Sequence, residues 1–260
     1  MSITVAQPDA AAISPPGAFG QRPFGACPEK LYGVRKKQSP IRNHKVHAKG
    51  AGMPVAVFPL GPLQANSHIL HGHTQAIVVD VGGDPAPMIK YLHTHQLSLT
   101  AICLTHRHFD HLYGVAALAR ETGAPVYVSA GDDPLAETES AKGGMWGFPL
   151  VEPFESRPLA PGKASFNGME CEVLATPGHT PGGVSLYFPS EKIVFTGDSL
   201  FYRSLGRTDF PGGDQAQLMH SVTEVLFKLP GETVVYPGHG PLSTIGDERA
   251  NNPFCGEFLP

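Results

Sequence analysis

Short apolar blocks separated by glycine and proline run along residues 54–237 and predict many strands and few helices. The stretch Leu99–Thr105 is almost continuously apolar, which is typical of a strand buried on both faces. The predicted strands are Val55–Leu60, Ser67–Leu70, Ala76–Val81, Leu99–Thr105, Val126–Ser129, Met169–Ala175, Val184–Phe188, Ile193–Thr196 and Val234–Tyr236.

Three segments have helical features instead. Pro87–His95 and Leu112–Glu121 are predicted helices, and the second is followed by a glycine that can end it. A third helix is predicted to begin at Asp214, an N-cap with Gln217 three residues later, and to extend to Leu229. Strands interleaved with a few helices predict an α/β sandwich of two sheets with helices outside. The predicted buried stripe of the third helix is Leu218, Val222, Val225 and Leu229.

Composition narrows the classes of partner. A hydrophobic fraction of 41% can form one sizeable core, and the net charge of −4 gives no sign of nucleic-acid binding. Apolar stretches stay far below the roughly 18 residues that a membrane span needs. Four scattered cysteines without metal-binding spacing predict free thiols, and hence a cytoplasmic protein. These cysteines are Cys27, Cys103, Cys171 and Cys255.

Residues 1–52 differ in composition from the rest of the chain. They contain eight lysines and arginines against two acidic residues, are rich in proline and glycine, and show no periodicity. This predicts a disordered basic extension ahead of a domain at residues 53–260, so that deletion of the extension leaves activity unchanged. The alternative is a mis-called start, with Met53 as the true one. His44 and His47 are expected to be solvated.

The candidate chemistry begins directly after the buried strand. His106, His108, Asp110 and His111 place three imidazoles and a carboxylate within six residues, which is too polar for a core. Imidazole and carboxylate are the ligands that borderline metals such as Zn²⁺ prefer. One His-x-His pair would be weak evidence, but the full His-x-His-x-Asp-His pattern at a strand end predicts a metal site.

Three later turns share one pattern, a strand that ends in a polar residue flanked by glycine or proline. They contain His179 in Thr-Pro-Gly-His-Thr-Pro-Gly, Asp198 after Phe-Thr-Gly, and His239 in Tyr-Pro-Gly-His-Gly. Each alone is compatible with an ordinary turn. Together with the first motif they supply five histidines and two aspartates, a joint pattern that ordinary turns do not explain.

In this order and spacing, the motifs resemble the metallo-β-lactamase superfamily from about Pro54 to Phe254. The resemblance implies a four-layer αββα sandwich with the site at the sheet ends. It further implies that Asp80 braces the His-x-His-x-Asp-His loop, although a strand-terminal turn carboxylate explains Asp80 equally well. The implied ligands are His106, His108 and His179 for one metal, Asp110, His111 and His239 for the second, and Asp198 as the bridge.

Within the superfamily, the bridging position separates activities. The commonest class B β-lactamases have cysteine where this chain has Asp198, which disfavours antibiotic hydrolysis. The runs Thr196–Phe201, Gly206–Gly213 and Pro237–Phe254 are similar to glyoxalase II-like hydroxyacylglutathione hydrolases of the short bacterial type. This similarity implies two divalent ions, zinc or else iron or manganese, and a bridging hydroxide that attacks a thioester such as S-lactoylglutathione.

In that scheme Asp110 is the catalytic residue, because it both binds metal and orients the nucleophile. Larger glyoxalase II enzymes continue into a helical domain that helps hold glutathione, whereas this chain stops at Pro260, so the thiol carrier stays open. Arg207 is a candidate ligand for a substrate carboxylate, with a surface salt bridge as the alternative. The remaining histidines are expected at the surface or in packing roles: His68, His71, His73, His93, His95 and His220.

Rival functions are a mononuclear iron persulfide dioxygenase, a hydrolase of another small ester, thioester or lactone, and a non-catalytic metal-binding protein. The dioxygenases share the Gly-Arg-Thr-Asp-Phe run that ends at Phe210. They usually have Ala-His-Asp where this chain has a glycine on each side of His239, which favours a hydrolase. A purely structural zinc site is normally closed with four ligands, so seven ligands disfavour the non-catalytic role.

Overall fold

A computed structural model describes residues 42–44 and 52–255. These residues form two large sheets and a separate two-stranded hairpin, and the first large sheet takes up the N-terminal half. Its strands lie in chain order, antiparallel from the first to the fourth and parallel from the fourth to the seventh. They are β1 (Arg42–His44), β2 (Val55–Leu60), β3 (Ala65–His71), β4 (Gln75–Val79), β5 (Ser98–Cys103), β6 (Val126–Val128) and β7 (Arg157–Pro158).

The second sheet comes from the C-terminal half and has six strands. Its order is β15-β14-β11-β10-β9-β8, in which β11 and β14 are parallel and the other neighbours are antiparallel. Its strands, with the separate hairpin β12–β13, are β8 (Gly162–Phe166), β9 (Met169–Ala175), β10 (Val184–Phe188), β11 (Ile193–Gly197), β12 (Leu200–Phe201), β13 (Ser204–Leu205), β14 (Val234–Pro237) and β15 (Ser243–Thr244).

Five α-helices accompany the sheets in the described part of the chain, and none there is long and apolar enough to cross a membrane. Helix α2 ends at Gly123, which takes the left-handed conformation expected of a glycine C-cap. The helices are α1 (Ala86–Thr94), α2 (Val115–Thr122), α3 (Glu139–Lys142), α4 (Gln215–His220) and α5 (Ile245–Asn251).

Alternating burial along the strands produces the layers. On β4, Ile77 and Val79 pack between the two sheets, while Val78 packs under α1 and α2 on the other face. On β11 of the second sheet, Phe195 faces the first sheet and Val194 faces α4 and α5. The central strands of both sheets are therefore buried on both faces, which explains their continuous apolar runs. The predicted αββα sandwich is confirmed.

The predicted third helix begins as expected but does not continue regularly. Asp214 accepts a hydrogen bond from Gln217 N at 2.9 Å, as an N-cap does. After α4 the chain forms a π-helical turn at Ser221–Val225 and then a 3₁₀ turn at Leu226–Lys228. A π turn inserts one extra residue, so the buried stripe moves from the predicted Val225 to Leu226.

A buried ionic network fastens the β12–β13 hairpin to α5. Glu248 is fully buried, and its carboxylate accepts hydrogen bonds from Arg203 N at 2.9 Å and Arg203 Nη1 at 2.7 Å. Asn252 Nδ2 and Ser243 Oγ donate to the same carboxylate. This polar core explains how a short hairpin, with few apolar residues of its own, keeps one position.

Two further expectations concern the N-terminal extension and the cysteines. β1 (Arg42–His44), which lies within the expected extension, pairs with β2. The rest of residues 1–51 lies outside the described residues, as does Cys27. Cys103, Cys171 and Cys255 are free thiols as expected, and the first two are buried.

Candidate metal centre

The seven predicted ligands all follow the carboxyl ends of strands. His106, His108, Asp110 and His111 lie in the loop and 3₁₀ turn after β5 of the first sheet. His179, Asp198 and His239 follow β9, β11 and β14 of the second sheet, three strands that run in the same direction. The sandwich therefore directs both sets of side chains to one edge.

The ligand atoms form three overlapping groups in which all atoms lie within 4.8 Å of one another. Asp198 lies between them, with Oδ1 3.3 Å from His111 Nε2 and Oδ2 3.6 Å from both His179 Nε2 and His239 Nε2. His108 Nδ1 and His179 Nε2 lie 2.8 Å apart, and Asp110 Oδ2 lies 3.1 Å from His239 Nε2. The groups are His106, His108 and His179; His106, His111 and Asp198; and Asp110, His111 and His239.

Asp80 fixes the orientation of two of the imidazoles. Its Oδ2 lies 2.9 Å from His111 Nδ1 and 2.7 Å from the hydroxyl of Thr105, which in turn lies 3.0 Å from His106 Nδ1. In the proton arrangement that can bind a metal, both Nδ1 atoms donate, so both Nε2 lone pairs point into the site. The predicted bracing role of Asp80 thus has direct contacts to support it.

His179 is fixed by a backbone group instead of a carboxylate. Its Nδ1 lies 2.6 Å from the Arg207 carbonyl oxygen, which leaves the Nε2 lone pair facing the ligand cluster. The carbonyl reaches this position because Gly206 lies against Asp198. A Cβ on Gly206 would come within 1.9 Å of the Asp198 carbonyl oxygen.

A similar close approach sets the position of His239. A Cβ on the preceding Gly238 would lie 2.1 Å from Asp198 Oδ1 and 2.7 Å from His111 Cε1, so only glycine fits there. Asn66 on β3 holds this turn, although it belongs to none of the sequence motifs. Its Nδ2 donates to the carbonyl oxygens of Pro237 and Gly240, each at 3.0 Å.

Electrostatics divide the site into two halves. Burial, with neighbouring imidazoles, lowers the pKa of His106 well below its usual range and that of His108 to about 3, so both are neutral at pH 7. Burial opposes protonation of His111, but three carboxylates, led by Asp198, raise its pKa well above the ordinary value. The site therefore offers neutral lone pairs on one side and an excess of negative charge on the other.

The inward-facing imidazoles and carboxylates of this cluster fit divalent metal ions. His106 Nε2 is buried and finds no hydrogen-bond donor among residues 42–44 and 52–255. A buried nitrogen without a hydrogen-bond partner destabilises the folded protein, and so do ionised carboxylates crowded beside it. A cation at the centre would remove both costs. Imidazole and carboxylate in this ratio match the ligands of zinc and of similar ions.

An aromatic wall lies beside His108. The Phe210 ring contacts the His108 ring with centroids 5.5 Å apart, and Trp146, 53% exposed, lies 6.3 Å from Phe210. Arg207 stacks its guanidinium 4.1 Å from the Phe210 centroid and forms a bidentate ion pair with Asp209, at 2.6 and 2.7 Å. Arg207 thus borders the site, already paired to a carboxylate of this chain.

The remaining histidines lie outside the ligand cluster. His68 and His71 are buried, and His71 packs against Tyr91. The other four are exposed, as expected for surface residues: His73, His93, His95 and His220.

The family model of the metallo-beta-lactamase superfamily matches residues 60–239. The chain belongs to this superfamily. It is therefore a metallo-hydrolase by family, and the matched residues include all seven candidate ligands, the last of which is His239.

Two curated relatives extend this comparison. "Probable metallo-hydrolase YqgX" of Bacillus subtilis (strain 168) is 36% identical over 204 residues, which cover 77% of this chain and 97% of the relative. "Hydroxyacylglutathione hydrolase GloC" of Haemophilus influenzae is 32% identical over 212 residues, which cover 78% of this chain and 98% of the relative.

Two solved structures share the fold. The structure of BLEG-1 B3 metallo-beta-lactamase has a TM-score of 0.73 and 37% identity, covering 77% of this chain and 99% of that one. TTHA1623, solved in a di-iron-bound form, has a TM-score of 0.69 and 40% identity. The match covers 76% of this chain and 98% of that one. The metallo-β-lactamase fold of this chain is thus matched along nearly the full length of both structures.

The contacts of Asp80 lead to a testable expectation. Asp80→Asn keeps the side-chain shape, and asparagine tolerates the left-handed backbone found here, φ 57°. The amide has only one acceptor oxygen for the donors of Thr105 and His111. We expect metal affinity or activity to fall by about 10- to 100-fold, the usual effect of losing such a partner. Chelator competition and steady-state kinetics measure it, and wild-type values for both would remove the bracing role.

Proposed function

We propose that this chain hydrolyses thioesters of the hydroxyacylglutathione type, with S-lactoylglutathione as the reference substrate. The observation that carries the proposal is the central position of Asp198, with each carboxylate oxygen within 3.6 Å of a ligand imidazole. A carboxylate there can neutralise two nearby cations. The similarity to hydroxyacylglutathione hydrolase GloC along 98% of that relative supports the choice of substrate class.

We further propose zinc as the metal at both positions. Zinc is bound by imidazole nitrogen and carboxylate oxygen, and both are present here. When bound, the ions would lower the pKa of a water between them and polarise the substrate carbonyl. The di-iron form of TTHA1623 makes iron the principal alternative, with manganese next.

The side chains around the cluster have separate tasks in this proposal. Asp110 Oδ2 lies 3.1 Å from His239 Nε2 and faces the cluster, where it orients the attacking water. Burial opposes ionisation of Asp110, yet the imidazoles of His111 and His239 lower its pKa, which keeps it a hydrogen-bond acceptor at pH 7. His239 is 29% exposed, so substrate reaches the centre from its side.

The leaving group fits the chemistry of these residues. A thiol has a pKa of about 8.5, so a thiolate departs without a strong general acid. Phe210 forms an apolar wall beside His108, against which the substrate backbone can lie. Arg207, with its charge shared with Asp209, borders the same wall and is proposed as a contact for an anionic part of the substrate.

The decisive experiment measures hydrolysis of S-D-lactoylglutathione by purified protein whose metal content has been quantified. We expect two zinc ions per chain and a kcat/KM of at least about 10⁴ M⁻¹ s⁻¹, within the ordinary range for an enzyme on its own substrate. Thiol release, followed with a thiol reagent, gives the rate. Matched reactions with metal-stripped protein give the baseline.

Two parallel assays separate the alternatives. A β-lactam substrate tests for the β-lactamase activity that the name of BLEG-1 specifies. Glutathione persulfide with oxygen-uptake recording tests the mononuclear iron dioxygenase. One iron per chain with persulfide-dependent oxygen consumption, or faster turnover of the β-lactam than of the thioester, would overturn the proposal.

A further inference from the structure

Asp132 lies where the two ligand-bearing loops meet, yet it is not one of the ligands. It is fully buried and follows β6, in a short 3₁₀ turn at Ala130–Leu135. Its Oδ2 accepts hydrogen bonds from Arg107 N at 2.9 Å and from Thr180 Oγ1 at 3.0 Å. Its Oδ1 accepts from Gly182 N at 2.5 Å.

Two of these donors adjoin a ligand. Arg107 is the residue between His106 and His108 in the loop of the first sheet. Thr180 directly follows His179 in the loop of the second sheet. One carboxylate therefore connects the loops across the gap where His108 Nδ1 and His179 Nε2 lie 2.8 Å apart.

The backbone around Asp132 leaves little freedom for adjustment. A Cβ on Gly182 would lie 2.2 Å from Asp132 N and 2.4 Å from the Gly131 carbonyl carbon. The turn and the His179 loop thus contact each other backbone to backbone. Burial raises the pKa of Asp132, whereas the donors from Gly182, Arg107 and Thr180 counteract this shift. Because the buried Asp132 carboxylate accepts three hydrogen bonds, it restrains the positions of both loops.

We infer that Asp132 is a positioning residue, which holds the His106–His108 loop and the His179 loop at the spacing that the first metal ion requires. Asp80 and Asn66 contact ligand side chains or the His239 turn, whereas Asp132 acts only through the two loop backbones and Thr180. The inference concerns metal affinity and does not depend on which substrate the protein hydrolyses.

Asp132→Asn tests it, because the amide keeps the shape but has one acceptor oxygen for donors on two sides. At least one loop then loses its hydrogen bond. We expect the zinc affinity of the folded protein to fall by about tenfold or more, the lower end of the range for supporting groups around metal sites. Competition with a chromophoric chelator at fixed pH measures this affinity without substrate.

Asp133→Asn is the matched control. Asp133 is the next residue, has the same charge, and pairs with the Arg107 guanidinium at 3.0 Å, but its side chain is 61% exposed and contacts neither loop backbone. Its zinc affinity should stay within about twofold of wild type. Equal losses in both variants would show that charge near Arg107, and not the buried bridge, controls binding.

Thermal melting of the metal-free proteins separates positioning from folding. A lower melting temperature for metal-free Asp132→Asn, with wild-type zinc affinity in the folded protein, would overturn the inference. If this variant does not fold, Thr180→Val serves in its place, since it removes only the Oγ1 donor to Asp132. A measurable loss of zinc affinity in Thr180→Val supports the inference, and an unchanged affinity contradicts it.

Discussion

Asp198→Asn should release one metal ion before it affects the fold, and kcat should fall by roughly 10²–10³-fold or more, the scale of losing one preorganised charge-stabilising group. Asp198 lies between imidazoles of both ligand groups, and burial of its carboxylate is outweighed by the charges of His239 and His111, which hold its pKa well below normal. The side chain is therefore ionised. Asparagine keeps its shape but removes the charge that lets two dications lie close together.

Metal content per chain and kcat are the measurements for Asp198→Asn. Glu172→Gln removes the same charge at an exposed position on β9 and should keep both metals and full activity. KM should change less than kcat, because Phe210 and Arg207 are untouched. Retention of two ions with a wild-type kcat would eliminate the bridging role and, with it, the dinuclear reaction proposed here.

His108→Ala should abolish hydrolysis and remove the first metal ion. His108 is buried, and its Nδ1 faces His179 Nε2 at 2.8 Å, so the substitution leaves that group with only His106 and His179. Even with the shared Asp198 carboxylate, the first ion then loses one of its three imidazole ligands, which lowers its affinity for the site. The loop position predicts little change in the metal-free melting temperature, since the sheets contribute most of the core.

His73→Ala provides the control for this variant, because His73 is exposed in the turn after β3 and lies outside the ligand cluster. Metal analysis, thioester hydrolysis and thermal melting are compared across the three proteins. A His108→Ala protein with normal metal content and rate would remove His108 from the ligand set. A large drop in its metal-free melting temperature would instead assign His108 a packing role.

The cluster of candidate ligands could be predicted from the sequence because each candidate residue follows a predicted strand. Met169–Ala175 and Val184–Phe188 agree with the prediction at both ends, and the ends of neighbouring strands bring the motifs together. Site residues that are marked by their type and by their position at the end of a strand can therefore be predicted from the sequence alone. The same holds for the N-cap at Asp214.

The supporting residues could not be found in this way. Asn66 and Asp132 are single polar residues whose partners lie 171 and 25 or more positions away, so no local pattern marks them. The π-helical turn after α4 has no periodic signal either, because one inserted residue changes the phase only locally. The β12–β13 hairpin is too short for an alternating pattern, and its stability comes from the distant Glu248.

The division of ligands between the two sheets has a consequence for folding. Strands up to Pro158 form the first sheet and strands from Gly162 form the second, so four ligands come from one half of the chain and three from the other. A cation at their meeting point binds residues from both halves of the chain, so its complete ligand set forms only when the two halves have docked. Because it binds the folded state alone, a thousandfold excess over its dissociation constant adds about 4 kcal/mol to the free energy of unfolding. The melting temperature should therefore rise with free metal concentration.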